Sequence, residues 1–258
     1  MVKDVLVLLL MVLAVAGCFE NRSKPADVPT VIGLEALAKT NRAEVVRLYL
    51  RGTKAAIPAE ALANLPKLEA LDLSECGIKE VPEAVSALST LRDFYFVRNG
   101  AEKLPASLAQ LKNLRYLNLD GNRFAAVPEV VASLANLRFL RLNENRLETV
   151  PASLATLKGL KRLYLSRNQI AAVPEVVKNF TELEDLVLSY NPISEVPAWL
   201  TAMSNLKAVS FAGCRITKLP EDLSAWKKLE SLVFSGCPIP ESEIKRIRAA
   251  LPAVAMVF

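Results

Sequence analysis

LRYLNLDGNRFAAVPEVVASLAN, residues 114–136, gives way at Leu137 to a second stretch in the same frame. Leu117 and Leu119 are separated by one residue, so on a strand both face one side while Tyr116, Asn118 and Asp120 face the other. Pro128, with its fixed φ, suits the first residue of a helical turn. The three-residue spacing of Pro128, Val131 and Leu134 predicts a tight, 3₁₀-like return path. A unit of one short strand and one turn cannot bury its own leucines, so it needs neighbours of the same kind.

Those neighbours are present. From Pro82 the prolines recur every 23 residues, at 105, 128, 151, 174, 197 and 220. The first strand leucine has counterparts at Leu48, Leu71, Phe94, Leu140, Leu163, Leu186, Val209 and Leu232, again 23 apart. The shared frame, L-x-x-L-x-L-x-x-N-x-L-x-x-[VL]-P-x-x-[VL]-x-x-[LF], resembles the leucine-rich repeat family, in the 23-residue class of Ras-suppressor-like and related bacterial proteins. The resemblance covers about residues 45–240. It implies an α/β solenoid, a horseshoe with a concave parallel sheet of about nine strands. Stacking at about 4.8 Å per strand would make that sheet about 40 Å long.

The Asn position of the frame reads Thr53, Cys76, Asn99, Asn122, Asn145, Asn168, Asn191, Cys214 and Cys237. An inward Asn bonds backbone groups that would otherwise be buried without partners. Cys, small and apolar with a weak donor, substitutes there as a core residue. Cys214 and Cys237 fall at the same place in adjacent coils, with Cα atoms about 5 Å apart and so within disulfide range. Side chains in such a ladder run parallel, however, and the expectation is free thiols. The sequence holds no histidine and no C-x-x-C pair, so no metal is expected.

An open solenoid needs covered ends. Residues 30–46, with Ile32, Leu34, Leu37 and Ala38 at near-helical spacing after Thr30, predict an N-terminal helical cap. Residues 240–258 predict a helix–strand cap. Pro240, Glu241 and Glu243 would stand at the helix start and Lys245, Arg246 and Arg248 nearer its end, in keeping with the helix dipole. Residues 254–258 would add an edge strand.

The N-terminus is different in kind. One Lys precedes an apolar run from Val5 to Ala16, and Val15-Ala16-Gly17-Cys18 closes it. About twelve residues are too few for a membrane-spanning helix, which needs about 20, but they fit the apolar region of a secretory signal. VAGC resembles a bacterial lipobox, which implies a diacylglyceryl thioether on Cys18. An ordinary cleaved signal with an incidental Cys, or a buried N-terminal helix, are the competing readings. The expected organisation is a lipoprotein signal over 1–18, a polar tether over 19–29 and a repeat domain with caps over 30–258. With Phe19 after the cysteine, the implied location is a bacterial envelope, at the outer membrane in a Gram-negative host.

The formal charge of +5 arises from 32 basic and 27 acidic residues interspersed along the chain. There is no dense basic arm, and nucleic acid is not an expected partner. No G-x-S-x-G, phosphate-cradling glycine loop or Cys/His pair is found. Asp72 and Glu75 fall on strand positions expected to be open to solvent. The chain is read as non-catalytic and without cofactor. Two functions remain: a binding module for a protein or peptide, or an envelope spacer, with carbohydrate or lipopolysaccharide as a further ligand class for such a surface. The outward strand positions discriminate between them. Tyr95, Tyr116, Asn118, Phe139, Arg141, Arg162 and Tyr164 cluster on coils three to six, while the last two coils offer Ala, Ser and Val. Tyr and Arg often dominate binding energy, so this cluster is the candidate protein-binding site. Exposed Phe139 and Tyr116 would anchor a partner, and Arg141 and Arg162 would pair its acidic groups.

Overall fold

A computed structural model describes residues 28–258. The expected signal, Cys18 and the tether up to residue 27 lie outside the described residues. One open sheet of eleven parallel strands runs the length of the molecule, each strand paired with its neighbours in chain order. Nine belong to the repeats: β2 Arg47–Tyr49, β3 Ala70–Asp72, β4 Asp93–Tyr95, β5 Tyr116–Asn118, β6 Phe139–Arg141, β7 Arg162–Tyr164, β8 Asp185–Val187, β9 Ala208–Ser210 and β10 Ser231–Val233. The register never slips: Tyr116 faces Phe139 and Leu117 faces Leu140. The middle residue of each repeat strand is buried, and its flanking residues face the concave side. This is a leucine-rich repeat solenoid.

The return path follows the sequence spacing. Five-residue 3₁₀ turns span Glu83–Ala87, Ala106–Gln110, Glu129–Ser133, Ala152–Thr156 and Glu175–Asn179. The prolines stand one place earlier than expected. Pro128, with ψ 131°, caps its turn from extended backbone, and its carbonyl accepts the N–H of Val131 at 3.0 Å. Its fixed φ suits that cap position as well as the first helical one. In the coil after β8 the turn is the short helix Ala198–Thr201.

The N-terminal end differs from the continuous helix expected over residues 30–46. Thr30–Ile32 is a strand, β1, pairing Val31 with Leu48. Its residues are β-branched and suit a sheet better than a helix. Gly33, at φ 85°, then turns the chain into the five-residue helix Leu34–Ala38, and Asn41 caps a 3₁₀ turn over Arg42–Glu44. Thr30 does not cap a helix; its hydroxyl donates to the Val28 carbonyl at 2.9 Å. At the other end a ten-residue helix, Glu241–Ala250, leads into the last strand, β11 Ala255–Val257, paired to β10. Phe258 stacks on Phe234 at 6.1 Å. Among the described residues no helix is long and apolar enough to cross a membrane.

Inside, the frame's asparagines form a ladder. Asn99, Asn122, Asn145, Asn168 and Asn191 each donate to the carbonyl 26 residues earlier, at 2.7–3.0 Å. Their oxygens accept backbone N–H groups of the preceding coil, as Asn145 does from Phe124. Cys76, Cys214 and Cys237 keep the donor half of this pattern, to Leu50, Leu188 and Phe211. All three thiols are free.

Candidate functional site

The parallel register sets the outward side chains of successive coils side by side, about 4.8 Å apart. Tyr95, Tyr116 and Phe139 form a continuous row of half-buried rings, with centroids 5.0 Å and 6.0 Å apart and planes tilted by 37° and 35°. Arg162 continues the row, its guanidinium 5.1 Å from the Phe139 centroid. Tyr164 sits beside it, with Arg141 at 5.1 Å from its ring. All seven predicted site residues therefore lie in one region of the sheet, but they do not play equal parts.

Arg141 and Asn118 are only 6 % and 5 % exposed, although both point to the concave side. Arg141 forms an ion pair with Asp120, both Nε and a terminal nitrogen lying 2.8 Å from one carboxylate oxygen. Asn143 donates to the same carboxylate from its backbone and its side chain, at 2.7 Å and 3.3 Å. Arg141 and Asn143 together hold the Asp120 carboxyl group in place. Burial pushes the Asp120 carboxyl up from its ordinary value, against the pull of Arg141. Burial also works against the charge on Arg141, but Asp120 and the neighbouring tyrosines more than offset it. Asn118 spans its own strand end, its oxygen accepting the N–H of Asp120 at 3.0 Å. Arg162 pairs with Asp185 at 2.9 Å. The expectation that Arg141 and Arg162 wait for a ligand's carboxylates is thus corrected: each has an acid of its own chain. Phe139, expected to be exposed, is half-buried between Tyr116 and Arg162.

Asp72 is likewise 4 % exposed and not open to solvent, its oxygen accepting the Ser74 N–H at 2.8 Å. Burial raises the Tyr95 phenol well above its usual range.

Two features escaped the strand pattern. The first is the position just before each strand, which reads Glu69, Arg92, Arg115, Arg138, Lys161, Glu184, Lys207 and Glu230. From Arg92 on, each backbone N–H donates to the carbonyl of the one before it, so these residues form a single column. Arg92 reaches Glu69 at 3.6 Å, and Lys161 reaches Glu184 at 3.1 Å. Arg115 and Arg138, flanking Tyr116 and Phe139, make no ion pair among the described residues. Four consecutive basic residues in the 23-residue phase were the legible signal.

The second is a column in the left-handed region at the far end of each strand: Gly52, Glu75, Arg98, Gly121, Glu144, Arg167, Tyr190, Gly213 and Gly236, with φ between 53° and 77°. Each of the first eight donates its N–H to the next coil, so the ladder continues while the chain turns inward for the Asn position. Gly121 lets the Arg98 side chain pass over it toward Glu144, 3.8 Å away; a Cβ there would lie 2.6 Å from Arg98 Cγ. Tyr190 is held between Arg167, 4.4 Å from its centroid, and Gly213.

Comparison with known proteins agrees with this geometry. Two family models match, a leucine-rich repeat region over residues 103–190 and a leucine rich repeat over residues 66–124. Between them they cover residues 66–190, so this stretch is similar to leucine-rich repeats, in keeping with the fold. A search of curated proteins finds no match. Among solved structures, a leucine-rich repeat protein of Leptospira interrogans is 24 % identical, with a TM-score of 0.62 over 84 % of this chain and 73 % of its own. An internalin of Listeria monocytogenes is 23 % identical, with a TM-score of 0.69 over 88 % of this chain and 64 % of its own. A TLR13–ssRNA13 complex is 23 % identical, with a TM-score of 0.72 over 89 % of this chain and 34 % of its own. The chain thus spans less than two thirds of the internalin and about a third of the TLR13 chain. At these identities the likeness is one of fold.

Proposed function

We propose that this is an envelope-anchored lipoprotein whose concave face is a protein-binding module. The observation that carries the binding reading is the ring row from Tyr95 to Phe139. Three adjacent half-exposed aromatics occupy the middle of the sheet, while β9 and β10 offer only Ala, Ser and Val there. Tyr95, Tyr116, Phe139, Arg162 and Tyr164 are the contact residues in this reading. Asn118 and Arg141 hold the floor beneath them and fix its shape. Large rings near the centre of a contact surface exclude water best and so contribute most to binding.

A spacer is the second reading. It is favoured by the self-contained packing of the same residues, since stacked cross-strand pairs contribute about 0.2–1 kcal/mol each to the sheet without any ligand. Cross-linked pull-down from the native envelope with the full chain separates the two. If the face binds, Tyr116→Ala and Phe139→Ala each weaken a captured partner by about 2 kcal/mol or more, and Ser210→Ala leaves it unchanged. Equal behaviour of all three, with circular dichroism intact, sinks the concave-centre site. The anchor is tested separately. A palmitate analogue should label the wild type and miss Cys18→Ser.

A further inference from the structure

The column of residues just before the strands carries charge in an order that a merely soluble surface does not need. From Lys161 onward the sign alternates through Glu184, Lys207 and Glu230, and Lys161 and Lys207 both reach Glu184, at 3.1 Å and 2.8 Å. That is the self-neutralising arrangement expected of neighbours about 4.8 Å apart, where like charges side by side are destabilising. From Arg92 to Lys161 the alternation fails, and four cations follow one another. The outer two are neutralised by Glu69 and Glu184. Arg115 and Arg138 are left in the middle without an ion pair among the described residues; each directly precedes in the chain one of the rings Tyr116 and Phe139, and the Arg138 guanidinium lies over Gly159.

From this charge order we infer that the partner of the concave face is an acidic protein segment, whose carboxylates, about 5 Å apart to match the strand spacing, pair with Arg115 and Arg138 while its apolar groups rest on Tyr116 and Phe139. The inference rests on the concave-face binding reading and adds the chemistry of the partner. Arg is the side chain suited to bidentate capture of a carboxylate. The rings speak for a protein over a single-stranded nucleic acid. Base stacking needs open ring faces, but Tyr95, Tyr116 and Phe139 lie tilted against one another and Arg162 covers Phe139. Two uncommitted arginines also make a small footprint for a phosphate backbone, whose binding draws on many cations.

The test uses the full chain and a labelled twelve-residue peptide of glutamate and leucine, followed by fluorescence anisotropy at low salt. Arg115→Glu/Arg138→Glu should lower its affinity at least tenfold. Lys218→Glu/Lys227→Glu, an equal change in net charge at exposed lysines of a distant coil, should lower it less than threefold. Because Arg138 packs against Gly159, the exposed Arg115→Glu is measured alone as well and should retain a loss of threefold or more. Absence of peptide binding, or equal losses in the two double variants, overturns the inference. So does an oligothymidylate of equal length that binds as tightly with the same dependence on Arg115. If Phe139→Ala abolishes capture of a native partner while the arginine variants leave it intact, the acidic partner is refuted and the concave-face reading survives.

Discussion

Cys214 sits where five neighbouring coils have Asn, and its burial decides its chemistry. Its thiol donates to the Leu188 carbonyl at 3.4 Å and is 2 % exposed. Burial pushes its ionisation up to about 11, and burial raises Cys76 and Cys237 as well. A thiolate is the reactive form, so these thiols should react with an alkylating reagent far more slowly in native protein than in denaturant. The same burial predicts alkaline instability. Below about pH 9 the folded and unfolded chains both keep the Cys214 proton. Above it the unfolded chain loses the proton first, so stability falls as the pH rises toward about 11. Each tenfold difference in proton affinity between the two chains is worth about 1.4 kcal/mol, so the Cys214 share of the decline amounts to about 2–3 kcal/mol. Denaturant titration at pH 7.5, 9.5 and 10.5 should show it. Cys214→Ala should make it shallower, the remainder belonging to Cys76, Cys237 and Tyr95, and an unchanged slope would remove the Cys214 thiol as a cause.

At the scale of the element, the turn ending each strand divides into relaxed and strained versions of one conformation. Glycine adopts a left-handed φ without penalty, whereas other residues there lose about 1 kcal/mol. Glu144→Gly should therefore stabilise the fold by about that amount, because its ion pair with Arg98, at 3.8 Å and well exposed, contributes little. Gly213→Ala should destabilise by about 1–3 kcal/mol, since its Cβ would lie 2.6 Å from Tyr190 Cδ1 at φ 66°. Tyr190→Ala in the same chain should recover part of that loss, and both effects are readable from urea midpoints. The period exposed the strands, the tight turns and the Asn ladder because each repeats in phase. Glycines at 52, 121, 213 and 236 share one phase as well, so the left-handed column was also within reach. The burial of Arg141 was not. Its partner Asp120 occupies an outward position of the preceding coil, and alternation assigns both to solvent. Only packing across coils shows that they close over one another. The opening helix failed for the converse reason: Ile32, Leu34, Leu37 and Ala38 fit a helix locally, but pairing with β2 claims residues 30–32 first.

For the whole molecule, cohesion is passed from coil to coil. Leu140 and its counterparts in the inner coils are fully buried between two neighbours. Among the described residues β1 has a neighbour on one side only and leaves Ile32 72 % exposed, and all three residues of β11 are half-buried. A solenoid whose stability is a sum over adjacent interfaces opens from its ends. Amide exchange should therefore be slowest in β5 to β7 and fastest in β1 and β11. Uniform protection across all eleven strands would show that the ends are tied down as firmly as the middle.

The Asn ladder also bears on how such a chain changes length over generations. Each rung reaches back 26 residues to a carbonyl, and each strand bonds at a fixed offset of one period. Losing residues 114–136 through unequal recombination would bring Asn145 into reach of the Phe96 carbonyl in place of Leu119. Arg98 would then meet Glu144 directly, no longer across Gly121. The ladder and the strand pairing find substitutes of their own kind when the segment gained or lost is one whole period, whereas Arg141 would exchange Asp120 for Val97. Any other length leaves a coil out of step, and the ring row makes the position matter too, since this loss removes Tyr116 from the face that the remaining coils would still present.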